Sequence, residues 1–438
     1  MSKVGYVVGE ANTQEFTFVT DTEKAPARLD YLVLESVQEQ TEDGTRSVDI
    51  LAQVTSLKTT SEVMADDLSL DELESINERY QSSPRIYGSA KILGYLKEKA
   101  GRKIVVNPRS AALPGHEVKI AETDFLKEFF TKDVDSGLEI GSLITRSSVP
   151  VNLDPNGLRR HLAIIAQTGA GKSFLSGLVI EQLLQLGGTV LIFDPNSDYV
   201  RMRHERQNDS EAPRETDFAD NIEVYRPPGV GGRRFDDDEI GGSQEFTARF
   251  SELTDSDVFN FAGVPSNATR IKQGIRTARE NLEGDGDYGP EELLEELERI
   301  ADIDDHEAQG GASRAREYIR KLTGLDIWGY DDLPVEDILE PMQASVVDLA
   351  GMPSYVSEFV VDKTLSDIWQ KASTGDLSHP VFIVLEEAHN FVPEQGQAYS
   401  ASTINTVASE GRKFGMFLTT VTQRPGKIDQ ETLSQCNS

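Results

Sequence analysis

The 438-residue chain contains one cysteine, Cys436. A single thiol excludes an intramolecular disulfide framework and a cysteine-built zinc cluster, and it suits a reducing interior. Long apolar runs are also missing. Stretches such as VFIVL at 381–385 fall far short of the roughly 20 residues a membrane-crossing helix needs. The opening residues, MSKVGYVVGEANTQEF, lack the apolar h-region of a secretory signal. The expectation is a soluble, cytoplasmic protein with no membrane partner. Positive charge is scarce: 43 Lys and Arg stand against 75 Asp and Glu, a formal charge of −32. Taken alone, this disfavours unspecific attachment to DNA or to an anionic membrane. The acidity is spread over the whole chain, however, and is not gathered in a tail. That suits a halophilic cytoplasm, because at about 1 M salt the screening length falls to about 3 Å. Net charge therefore does not exclude a nucleic-acid partner.

What is present divides the chain in two. At this length, with 38% hydrophobic residues, two or three domains with sizeable cores are expected. Residues 1–145 carry short β-rich runs, VGYVVGE, EFTFVT, YLVLESV, SVDILAQV and RKIVVNP, separated by turn-forming or charged residues. This pattern predicts a small β-barrel or sandwich. A helical stretch, LSLDELESINERY at 68–80, interrupts it, and no catalytic cluster stands out. An assembly or partner-docking domain is the reading for this part. From 146 to 438, strand and helix patterns alternate: LAIIA (162–166), TVLIFD (189–194), SVVDLAG (345–351), VFIVLEE (381–387) and MFLTTVT (416–422). Continuous apolar strands followed by helical stretches predict a parallel sheet covered on both faces. Between about 201 and 340 the sequence is polar, acidic and largely helical, which predicts a helical subdomain inserted between core strands.

The stretch IIAQTGAGKS at 164–173 follows one such strand and opens a helix. It matches the phosphate-loop pattern G-x-x-x-x-G-K-[ST], with Ala166 in place of the first glycine. Gln167, Thr168, Gly169, Ala170 and Gly171 can curl their backbone N–H groups around phosphates, and the start of the helix, with Ser173 and Phe174, adds its positive end. Lys172 is suited to the β and γ phosphates, and the Ser173 hydroxyl to Mg²⁺. A second site ends the strand VFIVLEE. Glu386 suits the metal and Glu387 an attacking water, by general-base logic. A solvated strand end is the other reading, weakened by the phosphate loop beside it. Asp194, closing TVLIFD, is either a ligand at the C-terminal end of a strand or an acid in a turn. Gln423, closing MFLTTVT, either senses the γ-phosphate and the water or is a loop amide satisfied by backbone. Arg412, in SEGRKFG, can stabilise a transferring phosphoryl group, in a ring from the neighbouring subunit; a solvated basic helix end is the alternative. Lys272, Arg276 and Arg279 share one helix face, either as a phosphate-tracking stripe or, more simply, as a face paired with nearby acids.

Taken together, LRRHLAIIAQTGAGKS, LIFDPNSDY, VFIVLEEAHNFVP, EGRKFG, VTQRPGKID and LSQCNS, in this order over about 160–438, resemble the archaeal HerA family of hexameric DNA-translocating ATPases, relatives of FtsK. The resemblance implies an α/β fold: a RecA-like P-loop NTPase domain with an inserted helical subdomain, preceded by a small N-terminal β-barrel. It implies ATP and Mg²⁺ as cofactors. A homo-hexameric ring passing duplex DNA through its channel, a NurA-type nuclease partner and a role in DNA end resection for double-strand-break repair follow from it as well. By position, Lys172 and Ser173 match the phosphate and metal residues, Glu386 and Glu387 the acidic pair, Arg412 the trans-acting arginine and Gln423 the sensor. Arg160 matches a basic position that approaches the nucleotide. Two departures accompany the likeness. One is Ala166. The other is that the chain stops at LSQCNS, where family members continue with further strands and a C-terminal arm, so a truncated chain or fragment is expected. Two alternatives stand beside the motor: a nucleotide-binding assembly subunit with little turnover, and a conjugation-type DNA-pumping ATPase, for which no membrane anchor is visible.

Overall fold

A computed structural model describes the chain except for residues 1, 42–43, 61–84, 100–101, 132–136, 205–216, 232, 283, 285, 303–305, 397 and 437–438. The helix expected at 68–80 lies outside the described residues. The chain divides into two compact units, Met1–Asp154 and Pro155–Ser438.

In the first unit, alternating apolar residues curl antiparallel strands into a closed barrel. Its strands are β1 (Lys3–Ala11), β2 (Glu15–Thr20), β3 (Tyr31–Thr41), β4 (Gly44–Thr60), β5 (Arg85–Lys99) and β7 (Glu117–Ile120), in the order β2-β1-β7-β3-β4-β5, and β5 pairs back onto β2. Closure leaves no exposed edge among these six strands. Val7, Phe16, Phe18, Leu32, Leu34 and Ile50 fill the interior. Strand β6 (Arg102–Val106) extends β5. Helix α1 (Thr123–Phe130) and the hairpin β8 (Leu138–Leu143) and β9 (Arg146–Leu153) close a second apolar cluster around Val33, Leu126 and Val149. The hairpin belongs to this unit, so the division falls after Asp154, later than the 145 read from composition.

The second unit is a seven-stranded parallel sheet. Its strands are β10 (Leu162–Ile165), β11 (Thr189–Asp194), β12 (Ile222–Arg226), β13 (Gln244–Glu245), β14 (Ala344–Asp348), β15 (Val381–Glu386) and β16 (Met416–Thr422), ordered β10-β16-β15-β11-β14-β12-β13. Every residue of β11, β14 and β16 is buried, as expected of strands covered on both faces. The covering helices include α2 (Lys172–Gln185), α7 (Ser354–Thr374) and α8 (Ala401–Glu410), and α9 (Gln430–Gln435) follows β16. Because all strands run the same way, Ile165, Asp194, Asp348, Glu386 and Thr422 end on one edge of the sheet.

The region 201–340 is not the purely helical insertion its composition predicts. Its helical part is α3 (Asp255–Ala262), α4 (Thr269–Leu282), α5 (Pro290–Ala301) and α6 (His306–Ile319). The same region also supplies β12 and β13 to the core sheet. The β12 sequence, IEVYR, is too short to assert a period of two against its acidic surroundings; its pairing with the fully buried β14 decides its state.

Candidate functional site

Four segments converge at the C-terminal edge of the sheet, those that follow β10, β15, β11 and β16. The first runs from β10 through 166–171 into α2. Gly169 and Gly171 have φ of 78° and 86°, the left-handed region that favours glycine, and a Cβ at either would meet nothing within 4 Å among the described residues. Backbone conformation, not space, therefore demands glycine there. Ala166 has no such φ, so the missing first glycine is tolerated. The first turn of α2 holds no acidic residue, and its leading N–H groups have no intrahelical acceptor. An exposed, electropositive cradle results.

Lys172, the first residue of α2, folds under this loop and is buried. Its ammonium contacts the Glu386 carboxylate and lies 3.2 Å from Glu387 Oε1. Glu386, the last residue of β15, is fully buried. Two carboxylates share one ammonium here, and phosphate oxygens would compete with them for it. Glu387 adopts a left-handed φ of 48°, which costs a residue other than glycine about 1–3 kcal/mol. Gln423 Nε2 donates to Glu387 Oε1 at 2.7 Å, and the Thr168 hydroxyl donates to Gln423 Oε1. One amide thus ties the phosphate loop to the acidic strand. Glu387 Oε2 is buried with no hydrogen-bond donor among the described residues. His389 Nδ1 lies 3.2 Å away but is hydrogen-bonded with Thr422 Oγ1 at 3.1 Å. Burial pushes the His389 imidazole below its ordinary pKa, against the pull of Glu387. The shift favours a neutral ring beside Oε2.

The third segment is the turn after β11. Asp194 is fully buried, and burial pushes its carboxyl up to about 7. Both its oxygens are engaged by the turn, accepting from the N–H of Asn196 (3.1 Å) and of Tyr199 (2.8 Å). Asp194 is thus the turn acid of the two readings, not a residue facing the loop. Two neighbours that sequence reasoning missed do face it. The Ser173 hydroxyl donates to Asp198 Oδ2 at 2.9 Å, and the Tyr199 hydroxyl donates to Glu386 Oε2 at 2.7 Å. Burial pushes the Tyr199 phenol well above its ordinary range, which keeps it a donor. Both residues stand in LIFDPNSDY, but nothing local marks which side chains meet Ser173 and Glu386.

The fold thus gathers Gln167, Thr168, Gly169, Ala170, Gly171, Lys172, Ser173, Glu386, Glu387 and Gln423 at one edge. Phe174 follows on the first turn of α2, with 58% of its surface exposed. Arg160 and Arg412 are not gathered there. Each precedes the N-terminal end of its strand, β10 or β16, and so sits at the other end of the sheet. Arg412 Nη2 donates to Gln435 Oε1 at 3.2 Å. The basic face of α4 is largely spent within the chain. Arg276 and Arg279 both bond Asp255, and the buried Arg279 also reaches Tyr288 and the Leu253 carbonyl. The plainer reading of that stripe fits these bonds.

Chemically, the cradle and Lys172 suit a polyphosphate. The Ser173 hydroxyl and the Glu386 carboxylate are hard oxygen donors that suit Mg²⁺. Glu387, with one oxygen held and one free, suits a water that must be oriented and deprotonated.

Residues 138–368 match the family described as "Helicase HerA, central domain". A protein of Methanocaldococcus jannaschii described as a probable helicase is 28% identical, over 99% of this chain and 80% of its own length. The DNA double-strand break repair helicase HerA of Saccharolobus solfataricus is 26% identical, again over 99% of this chain and 80% of its own length. Among solved structures, VirB4 of Thermoanaerobacter pseudethanolicus is 15% identical with a TM-score of 0.45, covering 69% of this chain and 82% of that one. With the family match extending over just over half of its residues, the chain belongs to the HerA helicase family and is an ATP-hydrolysing enzyme of that class.

Proposed function

We propose that the chain is an ATP-driven motor on duplex DNA, working with a nuclease of the NurA type in end resection during double-strand-break repair. The observation that carries the motor reading is the meeting of Lys172, Glu386, Glu387 and Gln423 beneath the phosphate loop. The repair role rests on the relatives named as double-strand break repair helicases. In this reading the loop N–H groups and Lys172 hold the phosphates of ATP, and Ser173 and Glu386 hold Mg²⁺. The metal, when bound, neutralises charge on the β and γ phosphate oxygens. Glu387 orients the attacking water and takes its proton on the free Oε2. Gln423, bonded to both Thr168 and Glu387, couples the occupancy of the loop to the position of the base.

Arg160 and Arg412 lie at the far end of the sheet within one chain. Their assigned roles therefore require a neighbouring subunit, and a homo-hexameric ring supplies one. Among the described residues no helix is long and apolar enough to cross a membrane. Displacement of streptavidin from the biotinylated end of a linear duplex tests the motor. ATP-dependent displacement, absent with ADP, is expected. Hydrolysis without displacement on duplexes of any length would contradict translocation.

A further inference from the structure

The turn that follows β11 has no role in the mechanism so far, yet it touches both groups assigned to the metal. Its sequence, Asp194-Pro195-Asn196-Ser197-Asp198-Tyr199, is locked from within. The Asp194 carboxylate accepts two backbone N–H groups across the turn. Ser197 takes a left-handed φ of 56°, and its hydroxyl donates to the buried Asp348 Oδ1 at 2.9 Å. So held, the turn presents two adjacent side chains in two directions. Asp198 accepts from the Ser173 hydroxyl at 2.9 Å. Tyr199, 1% exposed, donates to Glu386 Oε2 at 2.7 Å and shares a 2.6 Å hydrogen bond with Ser176 on α2. Arg234 Nη1, on a largely exposed side chain, also lies 3.9 Å from Asp198.

We propose that Asp198 and Tyr199 are the positioning pair of the metal site. Asp198 accepts the Ser173 hydrogen bond and so turns the lone pairs of the hydroxyl toward the cation. Tyr199 pins the Glu386 carboxylate, which would otherwise be free to follow Lys172. The Ser176 bond ties Tyr199 to the helix that carries Ser173, so both ligands are referred to one rigid turn. Two ligands from segments more than 200 residues apart thereby keep a fixed spacing. The inference rests on the phosphate-loop reading of the site.

The test uses the full chain with ATPγS, Mn²⁺ as the probe cation read by its free EPR signal, and a parallel ATPγS titration in EDTA. Tyr199→Phe and Asp198→Ala are each expected to weaken Mn²⁺ binding in the nucleotide complex about tenfold, the scale of one lost hydrogen bond to a charged group. ATPγS affinity in EDTA stays within about twofold, since the phosphate cradle is untouched. Asp198→Asn, which keeps an acceptor for Ser173, restores most of the loss. In turnover, the Mg²⁺ concentration for half-maximal rate rises, and the rate at saturating Mg²⁺ largely recovers. Asp198 is a quarter exposed and provides a variant that tolerates change if Tyr199→Phe lowers the melting temperature. Unchanged Mn²⁺ affinity in both variants overturns the proposal, as does an equal loss with and without metal. Failure of the unsubstituted chain to bind ATPγS in either condition would overturn the phosphate-loop reading itself.

Discussion

Glu387 is where geometry and chemistry are most tightly joined. Its left-handed backbone is a conformation that a strand end has no reason to adopt. Its result is a carboxylate with one oxygen held by Gln423 and the other buried without a hydrogen-bond donor among the described residues. Replacing Glu387 with Gln keeps the volume and the Gln423 contact but removes the proposed base. The variant is expected to bind ATP as tightly as the unsubstituted chain and to lose about 10²–10⁴ in turnover, the range for a general base. Equilibrium binding beside single-turnover hydrolysis checks this. A proportional loss of binding would place Glu387 in the cradle instead. Lys172 is less simple to interpret. It is the buried partner of two carboxylates, and breaking such a pair from one side costs about 3–5 kcal/mol. A Lys172 variant should therefore be checked for folding before its inactivity is assigned to catalysis.

At the scale of elements, β10 is held to β16 by more than the ladder. His161 precedes β10 with a left-handed φ of 61° and is fully buried. Its Nδ1 accepts from the Leu418 N–H at 2.7 Å. Burial, with Arg412 nearby, lowers its pKa from 6.5 to about 4. A depressed imidazole pKa means that the folded state prefers the neutral ring. The stabilisation is complete above pH 6.5 and is lost as pH falls toward 4. A shift of this size corresponds to about 3 kcal/mol. Melting temperatures of the unsubstituted chain and of His161→Gln should therefore converge as pH falls through that window. Parallel curves would contradict the clamp.

The core elements were legible because their signals are local. The five long apolar runs of the second unit all became strands, and the phosphate loop announced both the strand before it and the helix after it. What escaped depended on distant partners. β12 exists because β14 offers a buried edge. Tyr199 matters because Glu386, 187 residues away, ends beside it. The face shared by Arg276 and Arg279 could be read from spacing, but Asp255, which occupies both, could not.

At the scale of the whole molecule, the barrel and the ATPase unit each bury a core of their own, and the helices of the 255–319 region share one apolar cluster with the sheet. A net charge of −32 opposes any approach to DNA at low ionic strength. Molar salt shortens the range of that repulsion to about 3 Å. The central claim, that this site is an ATPase answering to duplex DNA, is tested most directly by ATP hydrolysis in high KCl with and without linear duplex, beside a folded Lys172→Ala control. The account predicts hydrolysis that the duplex stimulates and that the Lys172 change abolishes. Nucleotide binding with no turnover in either condition, or turnover indifferent to the Lys172 change, would contradict it.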